Sequence, residues 1–138
     1  MMAEAMTKSG PTLDQRRARH AWEVVQRAKQ KQDAHKDQDP KKFGGQVKKL
    51  PTRIMAAGLG QALAFLKAKN YAPGLLAELT EWMTQRIPPK PKEPADLLER
   101  IIHGDSDFLR RATDEVLAYL VWLNRFADAE GLTEGEES

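Results

Sequence analysis

Apolar residues along this chain recur at intervals of three and four rather than two, so the pattern is helical from end to end. It predicts an all-α protein, a compact bundle of about five to six helices with long first and last members. No strand-like alternation, heptad run or internal repeat interrupts it. Thr12-Leu13-Asp14-Gln15 has the form of a capping box, in which the threonine oxygen accepts an N–H and the glutamine reaches back, so the first helix starts there. At about 100° per residue, Ala18, Ala21, Trp22, Val25 and Ala28 share its apolar face. Arg16, Arg19, His20, Glu23, Gln26 and Arg27 share the opposite one. Arg17 lies at the apolar edge and is expected to bury its stem and pair with an acid from the other half of the chain.

From Lys29 to Lys42 there is almost nothing to bury, which predicts a protruding helix end and a loop broken at Pro40. Phe43, Val47, Leu50, Ile54 and Met55 then restart a core face. Pro51 fits a first helical turn, where its missing N–H has no intrahelical partner, so a helix is expected to begin near Leu50. Gly58 and Gly60 mark a bend or a close backbone approach, and Leu59, Ala62, Leu63, Phe65 and Leu66 form the hub of the core beyond it. A turn at 70–74 leads to a helix carrying Leu75, Leu76, Leu79, Trp82 and Met83, with Glu78 and Glu81 outward, that ends near Ile87. The prolines of 88–94 predict an extended, stiff connector.

A short helix through Asp96, Leu97, Leu98, Ile101 and Ile102 closes at His103-Gly104. The last helix, capped by Asp105 or Ser106, runs to about Ala129 with Leu109, Ala112, Val116, Tyr119, Leu120, Leu123 and Phe126 on its main face. Val116–Leu123 is apolar all round and should be packed from several sides. Residues 1–11 read as a disordered arm, 12–130 as a single helical domain, and 131–138 as a disordered acidic tail.

Composition changes this picture in two ways. The 138 residues include no cysteine, which excludes disulfides and thiolate metal sites. The longest apolar run is eight residues and the start has no signal-peptide core, so a soluble cytoplasmic protein with no membrane partner is expected. Charge is split between the halves. Residues 1–69 hold 15 Lys+Arg against 6 Asp+Glu, a net of +9, and residues 70–138 hold 7 against 14, a net of −7. Such a split suits a basic face toward polyanions, or two halves that attract each other within the fold.

Catalytic and cofactor chemistry finds little support. The three serines and three histidines show no triad spacing, so no enzyme activity and no cofactor are expected. Asp33, His35, Asp37 and Asp39 alternate on a polar segment without convergent geometry, and His103, Asp105 and Asp107 are explained as a helix end and N-cap acids, so no metal site is expected. Gly58-Leu59-Gly60 follows no strand and has Leu63 where a third glycine belongs, which rejects a dinucleotide fingerprint. Trp22, Trp82 and Trp122 lie on apolar faces and read as core. What remains is electrostatic: Arg16, Arg19, Arg27, Lys41, Lys42, Lys48, Lys49 and Arg53 are placed to meet phosphates without reading bases. Arg17, Pro51, Gly58 and Gly60 are assigned structural roles. A helical DNA-binding regulator and a purely protein-binding adaptor are the alternatives.

The first helix opening Leu-Asp-Gln-Arg-Arg-Ala (13–18), and the run Lys-Lys-Leu-Pro-Thr-Arg-Ile-Met-Ala-Ala-Gly-Leu-Gly-Gln-Ala-Leu-Ala-Phe-Leu (48–66), resemble the small helical subunit of the type III-B (Cmr) CRISPR RNA-guided effector complex. In length and helix layout the resemblance covers roughly residues 12–130. One departure is Ala57, where the family often has asparagine before Gly-Leu. The resemblance implies a non-catalytic subunit that stacks in several copies as a filament, with other effector subunits and the guide and target RNA as partners. It implies contact with backbone rather than bases, since base pairing reads the sequence in such complexes.

Overall fold

The structure is a computed structural model that describes residues 9–34, 40–69 and 73–132, and it is all-α. Six helices follow one another among them: α1 (Leu13–Ala34), α2 (Pro40–Ala57), α3 (Leu59–Lys69), α4 (Pro73–Arg86), α5 (Leu97–His103) and α6 (Ser106–Ala129). The expected terminal arm and acidic tail fall mainly on residues outside these ranges. So does the Asp33, His35, Asp37 and Asp39 group, whose side chains are not described.

The long helices α1 and α6 pack along each other, α2 lies against α6, and α3, α4 and α5 close the bundle. Their buried residues form one core through Val25, Val47, Leu63, Leu79, Leu97 and Leu120. Local signals start two helices as expected, at Thr12 and Asp105, and a third at Asp96, which the sequence pattern places inside its helix. Thr12 and Gln15 exchange backbone-to-side-chain bonds of 2.8 and 3.0 Å, Asp96 accepts from the Glu99 N–H, and Asp105 from the Phe108 N–H.

Pro51 does not begin a helix. It sits inside the continuous α2, which already starts at Pro40. An interior proline removes the N–H that would bond the carbonyl four residues back, here Val47, and costs about 3 kcal/mol. The side-chain amide of Asn124 on α6 donates to that carbonyl at 3.1 Å, supplying the missing hydrogen. A residue 77 positions away from Val47 thus makes the proline tolerable.

Gly58 is the bend between α2 and α3. Its φ of 90° is left-handed, where a side chain is strained. Gly60 is not required by its backbone: a Cβ there would sit 3.5 Å from Ile101 Cγ2, an ordinary contact. The true close approach is at Gly44, where a Cβ would lie 2.5 Å from the Leu132 carbonyl oxygen. Leu132 is itself buried, and its N–H donates to the Ala127 carbonyl while Gly131 N–H donates to Asp128, a Schellman ending for α6. Packed chain therefore extends to Leu132, beyond the expected boundary at 130.

Two other expectations shift. The proline-rich connector contains a turn, with Glu93 N–H donating to the Lys90 carbonyl and Lys92 at φ 79°, so it is not extended throughout. Proline at the second turn position and a left-handed third residue explain the reversal. Met55 is 75% exposed because it lies about 110° around α2 from the centre of the buried face, and Leu109, which shares the face of Val116 and Leu120, is 39% exposed because it sits in the first turn of α6.

Candidate nucleic-acid interface

The core-facing side of α1 is rotated from the hydropathy expectation by roughly 60° at about 100° per residue. Ala21, Val24, Val25 and Ala28 are buried, His20 joins them, and Trp22 is 44% exposed. The reason is polar. Glu115 on α6, nearly inaccessible, accepts from Arg17 Nε at 2.7 Å and Nη2 at 2.9 Å, from Trp82 Nε1 at 3.0 Å and from Arg86 Nε at 3.1 Å. Arg17 therefore pairs with an acid of the other half, as expected, and turns α1 toward α6. Burial pushes the Glu115 carboxyl upward, but the Arg17 and Trp82 hydrogen bonds and the Arg86 charge hold it below its ordinary value.

His20, expected on the outer face, lies between Tyr119 Oη at 2.6 Å and Glu81 Oε1 at 2.7 Å. An ionised carboxylate only accepts, so Nε2–H donates to Glu81, and in the neutral ring Nδ1 accepts from the Tyr119 hydroxyl. Glu78 is likewise not outward: its carboxylate takes Arg27 Nη2 at 2.9 Å and Nε at 3.3 Å. His20, Glu78 and Glu81 bring three ligand-type atoms within 4.8 Å of one another. The Arg27 guanidinium, 2.9 Å from Glu78 and 3.8 Å from Glu81, already offsets part of that cluster's negative charge. Asp105 caps α6 and Asp107 pairs with Arg110, matching the structural reading of that pair.

The basic residues separate into two sets. Arg16 and Arg19 are exposed on the outer face of α1, Arg16 with its guanidinium 5.9 Å from the Trp82 ring centroid. Arg27, expected to be available to a partner, is instead tied to α4 through Glu78. Because α2 is unbroken, Lys42, Lys49 and Arg53 fall within roughly 40° of one another, about 110° around the helix from the centre of the face formed by the buried Phe43, Val47, Leu50 and Ile54. Lys42 and Lys49 are exposed there, and Lys48 is exposed on the flank. Arg53 is half-buried, with its guanidinium 4.1 Å from the Phe65 ring centroid and a bond to Gln46 Oε1. The Lys41 side chain lies outside the described residues.

Sequence reasoning missed Glu115, His20, Gly44 and Asn124. A polar residue at helical spacing within an apolar face is the signal that could have found Glu115, one turn before Tyr119 and beside Val116. Nothing local marks Asn124 as the partner of a proline.

None of the described helices is long and apolar enough to cross a membrane. The family model described as CRISPR-associated protein (Cas_Cmr5) matches residues 13–130, which run from the first residue of α1 to just past the end of α6. Nearly the whole helical bundle is thus matched, including the Arg17–Glu115 centre and the basic stripe of α2, and the chain belongs to the Cas_Cmr5 family as a CRISPR-associated subunit of the Cmr type.

Proposed function

We propose that this chain is a non-catalytic subunit of a cytoplasmic type III-B ribonucleoprotein that holds the guide and target RNA by their phosphates. The observation that carries the reading is the stripe of Lys42, Lys49 and Arg53 along one outward side of α2, joined by Arg16 and Arg19 on the outer face of α1. Lys49 and Arg53 are one helical turn apart, about 6 Å, and Lys42 lies two turns before Lys49, about 10 Å. Such spacing lets a rigid helix meet successive phosphates of one strand without touching base edges. Arg27 is not in this set, since leaving Glu78 would strand a partly buried carboxylate. The non-catalytic reading is supported by the chemistry of Glu115 and His20, whose polar atoms are engaged by Arg17, Trp82, Arg86, Tyr119 and Glu81.

The same charge map supports a reading in which copies repeat along the RNA. Head-to-tail contact between unlike faces generates an open filament rather than a closed dimer. With Glu78 held by Arg27 and the exposed Glu81 bonded to His20, the other acids that a neighbouring copy can meet include the exposed Glu99 on α5 and Asp114 on α6. Co-purification of the tagged protein from its native cells tests the assignment. Recovery of a ladder of CRISPR proteins with short RNA is the expected result. Their absence under conditions that preserve large complexes overturns it.

A further inference from the structure

The end of α6 delivers the chain onto α2. Leu132 is buried, and its carbonyl oxygen lies so close to α2 that a Cβ on Gly44 would come within 2.5 Å of it. The Schellman turn fixes that contact through the bond from the Leu132 N–H to the Ala127 carbonyl at 2.9 Å. The next residues in the sequence, Thr133-Glu134-Gly135-Glu136-Glu137-Ser138, hold three acids and no cation. Helix α2 is the reverse, with Lys41, Lys42, Lys48, Lys49 and Arg53 and no acid along its 18 residues.

Position makes this complementarity local. Lys48 is one turn beyond Gly44, about 6 Å along α2 and about 40° around it, and it is exposed. At roughly 3.3–3.6 Å per residue, Glu134 can reach about 7 Å from Leu132 and Glu137 about 17 Å. The acids are thus within range of Lys48 and, beyond it, of the edge of the basic stripe at Lys49. Lys29, the α1 cation that meets the end of α6, is already held by Glu130 at 2.7 Å. Tethering over a few residues sets an effective concentration on the order of millimolar, so even weak ion pairing is enough to populate the contact.

We propose that residues 133–138 dock on the Lys48 side of α2 through Glu134, Glu136 and Glu137, and that RNA phosphates compete with them there. Docking concerns this chain alone, whereas the competition rests on the RNA-binding reading. Exposed ion pairs are individually weak, so RNA that meets the whole stripe displaces the segment, and an anion that meets only one cation does not.

A nitroxide attached through Ser138→Cys tests docking, because the chain has no cysteine of its own and the label goes to that position alone. The readout is paramagnetic broadening of the Lys48 and Lys49 amide signals in the full chain. Broadening is expected at about 0.01 M salt, where the Debye length is roughly 30 Å, and should fall by about half or more at about 1 M, where it is roughly 3 Å. Adding Glu134→Gln/Glu136→Gln/Glu137→Gln should relieve it in the same way at low salt. Broadening that is absent, or that neither salt nor the glutamine changes reduce, overturns docking, since tethering at Leu132 alone would then account for it. RNA affinity of the assembled complex at low salt tests the competition, and the triple glutamine variant should bind about threefold tighter or more. Equal affinities overturn the competition. Failure of both complexes to bind RNA through this subunit, with the charge-dependent broadening intact, overturns the RNA-binding reading and confirms the docking.

Discussion

Asn124 and Pro51 form a coupled pair, and each makes sense only beside the other. Asn124→Ala leaves the Val47 carbonyl without its donor and should destabilise by about 1–3 kcal/mol. In the Pro51→Ala background the same change should cost much less, because an alanine at that position carries the N–H that proline lacks. Denaturant melts of the four proteins give the coupling, and additive losses would disprove it. Glu115 makes a second prediction at this scale. Its folded carboxyl titrates below the ordinary 4.5, so the stability it contributes is complete above that value and disappears as pH falls through the depressed one. Melting temperature should therefore drop more steeply for the wild type than for Glu115→Gln as pH is lowered below about 4.5. At neutral pH that variant should lose about 3–5 kcal/mol, since Arg17 and Arg86 would face an uncharged amide.

At the scale of the element, signals between near neighbours are legible in the sequence and signals between distant ones are not. The capping residues Thr12 and Asp105 act within one turn, so the sequence reveals them directly; Asp96 is equally local, yet the apolar pattern places it inside its helix rather than as its cap. Hydropathy misplaces the phase of α1 because His20 and Arg17 are drawn inward by Tyr119 and Glu115, 99 and 98 residues away. It ranks both as surface residues, and only the paired acid or hydroxyl makes their burial favourable. The start of α2 is hidden for a related reason, since proline normally signals a beginning and its satisfying amide lies on another helix. Glycine positions divide the same way. Gly58→Ala meets open space but a left-handed φ, and should cost about 1–2 kcal/mol. Gly44→Ala places a methyl against the backbone of Leu132, so it should cost more and free the C-terminal turn, seen as faster amide exchange at Leu132.

For the molecule as a whole, the charge split between the halves serves two purposes at once. Part of it is used internally: Arg17, Arg27 and Lys29 of α1 meet Glu115, Glu78 and Glu130. The exposed cations include Arg16, Arg19, Lys42, Lys48 and Lys49. The family is legible from two short runs, residues 13–18 and 48–66. Which cations point outward is not, because that depends on which acids the fold brings beneath them.

The most direct test of the phosphate-holding role is the salt dependence of RNA affinity in the assembled complex, for wild type and for Arg16→Ala/Arg19→Ala/Lys42→Ala/Lys49→Ala. Removing one phosphate-binding cation should lower the slope of log affinity against log salt by roughly 0.7–0.9, so the quadruple variant should show a slope smaller by about three, equally for unrelated RNA sequences. Its melting temperature should stay close to that of the wild type, because all four residues lie outside the core. An unchanged salt slope, or a loss of affinity confined to particular sequences, would contradict the account.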